Sequence, residues 1–465
     1  MAETIIVEPP VKPVLDPGFV PAVLWNREFL KKAKSTGKAR QIIISLERNN
    51  GTVSTFKSEI FPDEADYREL NLKYVERLVK NLLWTKGGYR ISIAGAPEVA
   101  AEIKKIYSAQ GARSFDNDII GKKIYGKELE VVACELSEAP ESHELDQPLG
   151  RNLEGYRIGF DLGGSDRKCA AMVDGKVIFS EEVEWDPYFW NDPQKHKDGI
   201  NDSLKRAAAK MPRVDAIGGS SAGVYVDNKV RVASLFRGVS EEDFQNKVVN
   251  MFNELQEEWK VPFIVVNDGE VTALAGSMSM NDNAVLGLAM GTSQAVGYVN
   301  SDGNITDWLN ELAFAPVDFR ENGPADEWSG DLGCGVQYFS QQAVARLAPL
   351  AGIMLPDDMP FPERLIEVQK LMEDNDAKAR RIYESIGVYL GYSVAYYSDF
   401  YDIKNLLLLG RVTSGEGGNI ILATAEKVLA EVFPELAEKV KFRTPDEKDK
   451  RHGQAIAAAS LPSLN

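Results

Sequence analysis

The chain has 465 residues, about three times the roughly 150 of a common domain, and 44% of them are apolar, so two or three packed units are expected rather than one small module or a disordered chain. Its 53 Lys and Arg against 70 Asp and Glu leave a net charge of −17, which repels nucleic-acid phosphates and anionic lipid. Three widely spaced cysteines (Cys134, Cys169, Cys334), no apolar run of roughly 18 residues and no export leader point to a cytoplasmic protein with no membrane or nucleic-acid partner.

Prolines at positions 9, 10, 13, 17 and 21 predict an extended N-terminal arm. Two β-prone runs then flank an Asn-Gly turn in RQIIISLERNNGTVSTFKSEIF, a hairpin signal. YRELNLKYVERLVKNLL sets Leu70, Tyr74, Leu78 and Leu82 on one helical face. YRISIAGA reads as a buried strand, PEVAAEIKKIYSAQ as a helix and KELEVVACEL as another strand. Together they make a small α/β unit that closes near residue 138, and the polar stretch after it reads as a linker.

From residue 153 the pattern changes. YRIGFDLGGSDRKCAAMVDGKVIFSEEVEW reads as three strands divided by Gly163-Gly164 and Asp174-Gly175. Helices and strands alternate after it, which predicts an α/β sheet with helices on its faces. The strand-turn-strand group recurs at AVLGLAMGTSQAVGYV. Two similar lobes are therefore expected, over residues 153–283 and 284–465, preceded by an arm and small α/β unit over residues 1–152.

Four segments carry residues suited to chemistry. Asp161, Gly163, Gly164, Ser165 and Lys168 put a carboxylate at a strand end, glycines at the turn, and a hydroxyl and a cation beyond. Glycines let backbone N–H groups approach phosphate oxygens, and a neighbouring carboxylate can hold a hydrated Mg2+, although such a turn also serves simply as a hairpin. Gly291, Thr292 and Ser293 repeat the arrangement after a second strand. NLLLLGRVTSGEGGNIILATAEKVL is a buried strand, a loop with Gly410, Arg411 and Gly415, and a helix start, a setting that suits a nucleotide. Asn267 and Asp268 stand between a buried strand and a helix; Asp there is by default a helix cap, and in a nucleotide enzyme it is a candidate proton acceptor.

In this order the segments resemble the ASKHA superfamily of sugar kinases and actin-like ATPases, and within it the ROK family of sugar kinases and repressors, over residues 156–462. The resemblance implies a two-lobed actin/hexokinase-like, ribonuclease H-like fold and an ATP- and Mg2+-dependent phosphotransfer to a small-molecule sugar. GFDLGGSDRK is similar to the family's first phosphate motif, with Ser165 where Thr is usual, and AVLGLAMGTSQAVGYV to its second. VDAIGGSSAGVYVDN, with Gly223, and VPFIVVNDGEVTALAGS are similar to its sugar-side segments. By this resemblance Asp268 is the catalytic base, Asn267, Gly223 and Glu311 bind sugar, and Asp161 holds Mg2+ through water. Gly163, Gly164, Ser165, Lys168, Gly291, Thr292, Ser293, Gly410, Arg411 and Gly415 then border ATP.

The chain also departs from the family. Its zinc-binding histidine is replaced by Phe314 and only Cys334 remains of its cysteines, so no structural zinc is expected. His143, His196 and His452 read as surface residues. Trp185, Tyr188, Phe189 and Trp190 read as packing against the N-terminal unit, in preference to an aromatic lip for a sugar ring. Gly387 and Gly391 read as a close helix contact. A non-catalytic sugar- or nucleotide-sensing protein of the same fold is the alternative function. Residues 1–150 hold 21 basic and 22 acidic residues, without the basic helix of a DNA-binding unit; a homodimer contact or a cover beside the cleft is the expectation for them.

Overall fold

A computed structural model describes residues 4–144, 146–147, 149–444 and 449–464, with backbone alone for 146–147 and 449–452. The arm is extended and lies along the body of the chain: Val11 N–H donates to the Tyr392 hydroxyl at 3.1 Å and Leu15 N–H to the Ser385 hydroxyl at 3.2 Å. Buried Asp16 pairs with Arg320 and Arg346. Helix α1 (Ala22–Ser35), which the sequence reading passed over, starts directly after Pro21 and stacks Phe29 on Tyr74 at 4.2 Å.

Strands β1 (Arg40–Glu47) and β2 (Val53–Ile60) form the expected hairpin. Helix α2 (Arg68–Lys86), β3 (Arg90–Ala94) and α3 (Pro97–Ile106) follow. A short α4 (Ser114–Asp116) continues as a π-helical segment over Asn117–Tyr125 before β4 (Glu130–Cys134), and the sheet runs β2-β1-β3-β4. Every residue of α2 from Tyr74 to Lys86 is buried. Its amphipathic pattern placed one face in a core; the polar face is buried too, because it docks on the second lobe. The stretch read as a linker is pinned at several of its described residues. His143 pairs with Val53, β5 (Asp146–Gln147) joins a sheet of the second lobe, and the N–H groups of Gly150 and Asn152 donate to the carbonyls of Leu461 and Ser460.

The first lobe holds β6 (Tyr156–Leu162), β7 (Asp166–Val173), β8 (Lys176–Glu184), α5 (Pro193–Ala208) and β9 (Ala216–Ser221). A hairpin of β10 (Val224–Val226) and β11 (Lys229–Val232), then α6 (Glu241–Asp243), α7 (Met251–Trp259) and β12 (Phe263–Asn267), complete it. Helix α8 (Asp268–Met280) leads into β13 (Val285–Met290), β14 (Gln294–Val299) and β15 (Ile305–Thr306) of the second lobe. Helices α9 (Gln341–Leu350), α10 (Phe361–Glu373) and α11 (Ala377–Tyr397) precede β16 (Asn405–Leu409), α12 (Glu416–Val432), α13 (Pro434–Lys439), β17 (Lys441–Arg443) and α14 (Asp449–Ala459).

The sheets run β12-β9-β6-β7-β8 and β17-β16-β13-β14-β15-β5. Each sets an antiparallel hairpin on one side of a lead strand and parallel strands on the other, the two-lobed ribonuclease H-like α/β plan. Helix α14 lies on β6 and β9 so closely that a Cβ on Gly159 or Gly218 would overlap the carbonyl oxygens of Ala455 or Ala458. Helices α11 and α12 meet at Gly387 and Gly391, where a Cβ would run into Thr424 and Val428. Among the described residues, the first lobe has its own core around Phe160, Phe252 and Phe263, whereas the N-terminal unit and the second lobe share one.

Two readings need correction. His196 is fully buried, with Nε2 at 3.1 Å from the carbonyls of both Pro187 and Leu235, and burial pushes its pKa down; helical periodicity alone did not show that its face of α5 covers the aromatic cluster. Trp185, Tyr188 and Trp190 pack within the first lobe, not against the N-terminal unit, and Phe189 is exposed. His143 is exposed, and the side chain of His452 lies outside the described residues. No helix among the described residues is long and apolar enough to cross a membrane.

Candidate active site

The carboxyl ends of the parallel strands β6, β9 and β12 bring three predicted segments together, the edge at which open α/β sheets bind ligands. Asp161 stands beside Ser220, whose hydroxyl donates to its Oδ1 at 2.7 Å, and opposite Lys168 on β7. Burial pushes its pKa up, and the Ser220 hydrogen bond and the Lys168 charge oppose that. Past it the first glycine turn is clamped. Trp185 Nε1 donates to the Gly163 carbonyl at 2.8 Å and Trp185 N–H to the Ser165 carbonyl at 3.1 Å. Tyr188 covers Gly164 so tightly that a Cβ there would overlap its hydroxyl. The aromatic cluster is thus a buttress for this loop. The Ser165 hydroxyl donates to Asp166 at 2.9 Å.

At the end of β12 the cap of α8 is Asn267, not Asp268. Asn267 Oδ1 accepts from Gly269 N–H at 2.7 Å, and its amide donates to the Gly223 carbonyl at 2.6 Å. The same Gly269 N–H also reaches Asp268 Oδ1, at 3.0 Å. The Asp268 pKa is pushed up to about 6 by burial and by the charge of Asp161. Glu311 is pushed up to about 7 by burial and by Asp268. Glu270, which sequence reading missed although it shares the first turn of α8 with Asp268, rises to about 8 through burial, with Glu311 and Asp307 adding to the shift and a hydrogen bond from Asn310 opposing it.

Glu311 is held by the N-terminal unit. Its N–H donates to the Trp84 carbonyl at 2.9 Å, and that of Asn310 to the Thr85 carbonyl at 3.0 Å, both at the end of α2. Trp84 packs against Phe314, tilted, with ring centroids 4.4 Å apart. Nearby, Lys80 is fully buried between Asp116 (3.0 Å) and Asp331 (3.3 Å), and Arg77 and Arg113 also pair with Asp331. Cys334 is buried against this cluster, and burial pushes its thiol pKa up. No sequence signal on α2 alone reports these contacts; its unspent cations Arg77 and Lys80 were the available hint.

In the second lobe, Gly291 N–H donates to the Ser293 carbonyl at 2.9 Å, and its carbonyl accepts from Gln341 N–H at the start of α9. Thr292 and Ser293 are exposed at the turn. Gly410 ends β16 with φ +94°, and a Cβ there would overlap the backbone of Met290 on the neighbouring strand, so glycine is required. A cavity of about 580 Å3 runs from Asp268 and Thr272 on α8 past Ala289 and Leu409 to Gly410, with Arg443 and Gln454 on its wall. Its volume is within the roughly 300–1,000 Å3 of small-molecule sites. Of the predicted residues only Asp268 and Gly410 line it; Arg411 and Gly415 are exposed beyond it, and Arg443 and Gln454 were missed. Mg2+ keeps several waters and needs only one or two carboxylates besides substrate phosphates, a donor set that Asp161 beside the glycine turn, with Asp166 on the same turn, fits.

No family model matches the chain. A glucokinase of Halalkalibacterium halodurans is 24% identical over 313 residues, 62% of this chain and 89% of that protein. A ROK hexokinase from Thermus thermophilus superposes with a TM-score of 0.52 at 19% identity, over 66% of this chain and 97% of the other. A ROK glucokinase from Streptomyces griseus, in complex with glucose and AMPPNP, gives 0.50 at 16% identity over 66% and 99%. A ROK transcriptional regulator, a homologue of the E. coli MLC protein, gives 0.51 at 16% identity over 67% and 78%. The protein thus carries the two-lobed fold of these ROK proteins, and its sequence is similar to that of a glucokinase.

Proposed function

We propose that this protein transfers the terminal phosphoryl group of ATP to a hydroxyl of a hexose or related sugar. The observation that carries the reading is Asp268: a half-buried carboxylate at the edge of the first sheet, bonded only within its own turn to the Gly269 N–H, under the charges of Asp161 and Glu311, and lining the large cavity. The sugar oxygen attacks the γ-phosphorus as the bond to the β,γ-bridging oxygen breaks, and the hydroxyl proton passes to Asp268. Glu311 accepts hydrogen bonds from the sugar. Asn267 has one amide N–H left for it after binding the Gly223 carbonyl. Asp161 would hold Mg2+ through water, and the cation supplies charge neutralisation to the phosphates. The turns at Gly163–Ser165 and Gly291–Ser293 offer N–H groups to phosphate, and Gly410, Arg411 and Gly415 border the nucleoside.

ADP release over a panel of hexoses, N-acetylhexosamines and polyols tests the reading, with Asp268→Asn as control. No sugar-dependent ADP, or turnover untouched by that substitution, overturns it. A sugar- or nucleotide-sensing role is the second reading, favoured by the regulator that matches the fold as well as the kinases do. Sugar binding without any ADP release would establish it.

A further inference from the structure

The aromatic cluster beside the first glycine turn also carries a cation. His196 of α5, with Nε2 at 3.1 Å from the carbonyls of both Pro187 and Leu235, staples the segment 187–190 to the segment 234–238. Gly238 packs so closely on the first of these that a Cβ there would overlap the carbonyl oxygens of Tyr188 and Trp190. A single 3-10 turn over Ser234–Phe236 ends with the Arg237 N–H donating to the Ser234 carbonyl at 3.2 Å. These contacts fix the backbone of Arg237 beside Tyr188. Its guanidinium carbon lies over the Tyr188 ring, 4.0 Å from the centroid, with the exposed Phe189 ring at 5.7 Å.

Tyr188 is the ring that covers Gly164, so one aromatic ring separates the guanidinium from the glycine turn. The turn has donors to offer. Gly163 N–H is spent on the Asp166 carbonyl at 2.9 Å, but the N–H groups of Gly164 and Ser165 donate to no acceptor among the described residues. Arg237 is exposed and, among the described residues, has neither a carboxylate at ion-pair distance nor an acceptor for its side-chain N–H groups. Nearby cations of the first lobe are neutralised: Arg167 by Asp202, Lys168 by Asp166, and Lys197 by Glu254 and Glu258. A guanidinium over a ring is held by its face, which leaves the N–H groups in its plane free to donate.

Resting on the kinase reading above, we infer that Arg237 is a phosphate-binding residue: with the N–H groups of Gly164 and Ser165 it holds the phosphate chain of ATP at the first turn. Unpaired backbone N–H groups alone bring only partial charge to phosphate oxygens, whereas a guanidinium adds a full charge and a paired set of hydrogen bonds. Lys168, the cation that the turn itself carries, shares its charge with Asp166 at 3.5 Å. Arginine suits the place better than lysine, because the ring holds its planar group in position before the ligand arrives.

Titration calorimetry of the full chain with AMPPNP and with AMP, Mg2+ present, reads this contact without turnover, and ADP release is run in parallel. Arg237→Ala is expected to weaken AMPPNP binding about ten-fold or more and to leave AMP binding within about two-fold. Arg237→Lys, which keeps the charge and loses the planar fork, is expected to restore only part of the loss. Because Arg237 is exposed, Tm and sugar affinity are expected to stay at their wild-type values. AMPPNP affinity unmoved by Arg237→Ala, an equal loss for AMP, or no AMPPNP binding by the wild type overturns the assignment. Weakened AMPPNP binding in Arg237→Ala with no ADP from any sugar keeps the arginine and removes the kinase. Sugar-dependent ADP that Asp268→Asn abolishes and Arg237→Ala leaves untouched does the reverse.

Discussion

The two lobes repeat one sheet plan but are stabilised differently. The first buries its own core, and an ion pair such as Arg167–Asp202 leaves Asp202 54% exposed. The second shares its core with the N-terminal unit, across a cluster in which Lys80 is fully buried. The N-terminal unit also reaches the first lobe, where its π-helical segment touches β11. The contrast teaches that the N-terminal unit and second lobe form one body carrying Glu311, while the first lobe carries Asp161 and the start of the Asp268 segment. On the proposed phosphotransfer, closure of the cleft on substrate would be a motion of the first lobe against that body, keeping water from the phosphoryl group.

The largest expected effect falls on the junction between the two bodies. Asp268→Asn should lower kcat by about a hundred- to ten-thousand-fold with little change in sugar affinity, read by ADP release and by calorimetry. Lys80→Met should come next. Removing one partner of a buried pair leaves the charge of Asp116 uncompensated, while Asp331 keeps Arg77 and Arg113, and should cost about 3–5 kcal/mol in denaturant unfolding. An unchanged midpoint would mean that the shared core does not depend on this cluster.

Trp84→Ala tests the hold on Glu311 itself. Loss of the ring contact with Phe314 should raise the sugar KM about ten-fold while kcat changes less, a split that a general loss of folded protein would not produce. A pH series then separates chemistry from stability. Asp268 accepts a proton only when ionised, so kcat/KM should rise as pH passes about 6. Stability should move the other way. Asp268, Glu311 and Glu270 have pKa values raised to about 6, 7 and 8 in the folded chain, so it retains protons that the unfolded chain has released above about pH 4. Their contribution to stability therefore falls from about pH 4 to about pH 8, and Glu270→Gln should flatten the upper part of that decline in Tm. The smallest effect is expected from Asp202→Ala in the first lobe, about 1 kcal/mol or less, because its partner pair is solvent-screened. A loss as large as that of Lys80→Met would erase the contrast between the lobes.

Much of this fold is legible in the sequence. Alternation of apolar runs with turn dipeptides marked β6, β7 and β8, and the Asn-Gly turn marked the β1–β2 hairpin, because both signals are local. Asp161 and Asp268 were legible for the same reason: each follows a buried strand and stands beside a turn or a helix start. What sequence did not show was that Asn267 takes the cap, since either residue can cap a helix and the choice depends on where the Gly223 carbonyl lies. Helix α1 was hidden by the prolines before it, although Pro21 serves as its flank. The linker reading mistook lack of periodicity for lack of partners, and the aromatic cluster was assigned to the wrong neighbour because its partners, Gly163 and His196, come from separate elements.

Sequence alone determined the order of strands and helices, the glycine turns, and the carboxylates that end β6 and begin α8, because spacing and residue type act over a few residues. Tertiary structure alone decided which polar face would be buried, which carboxylates would raise each other's pKa, and that α2 would hold Glu311 through two backbone carbonyls. Those outcomes join residues from separate parts of the chain, and burial and charge there depend on what each element meets in space.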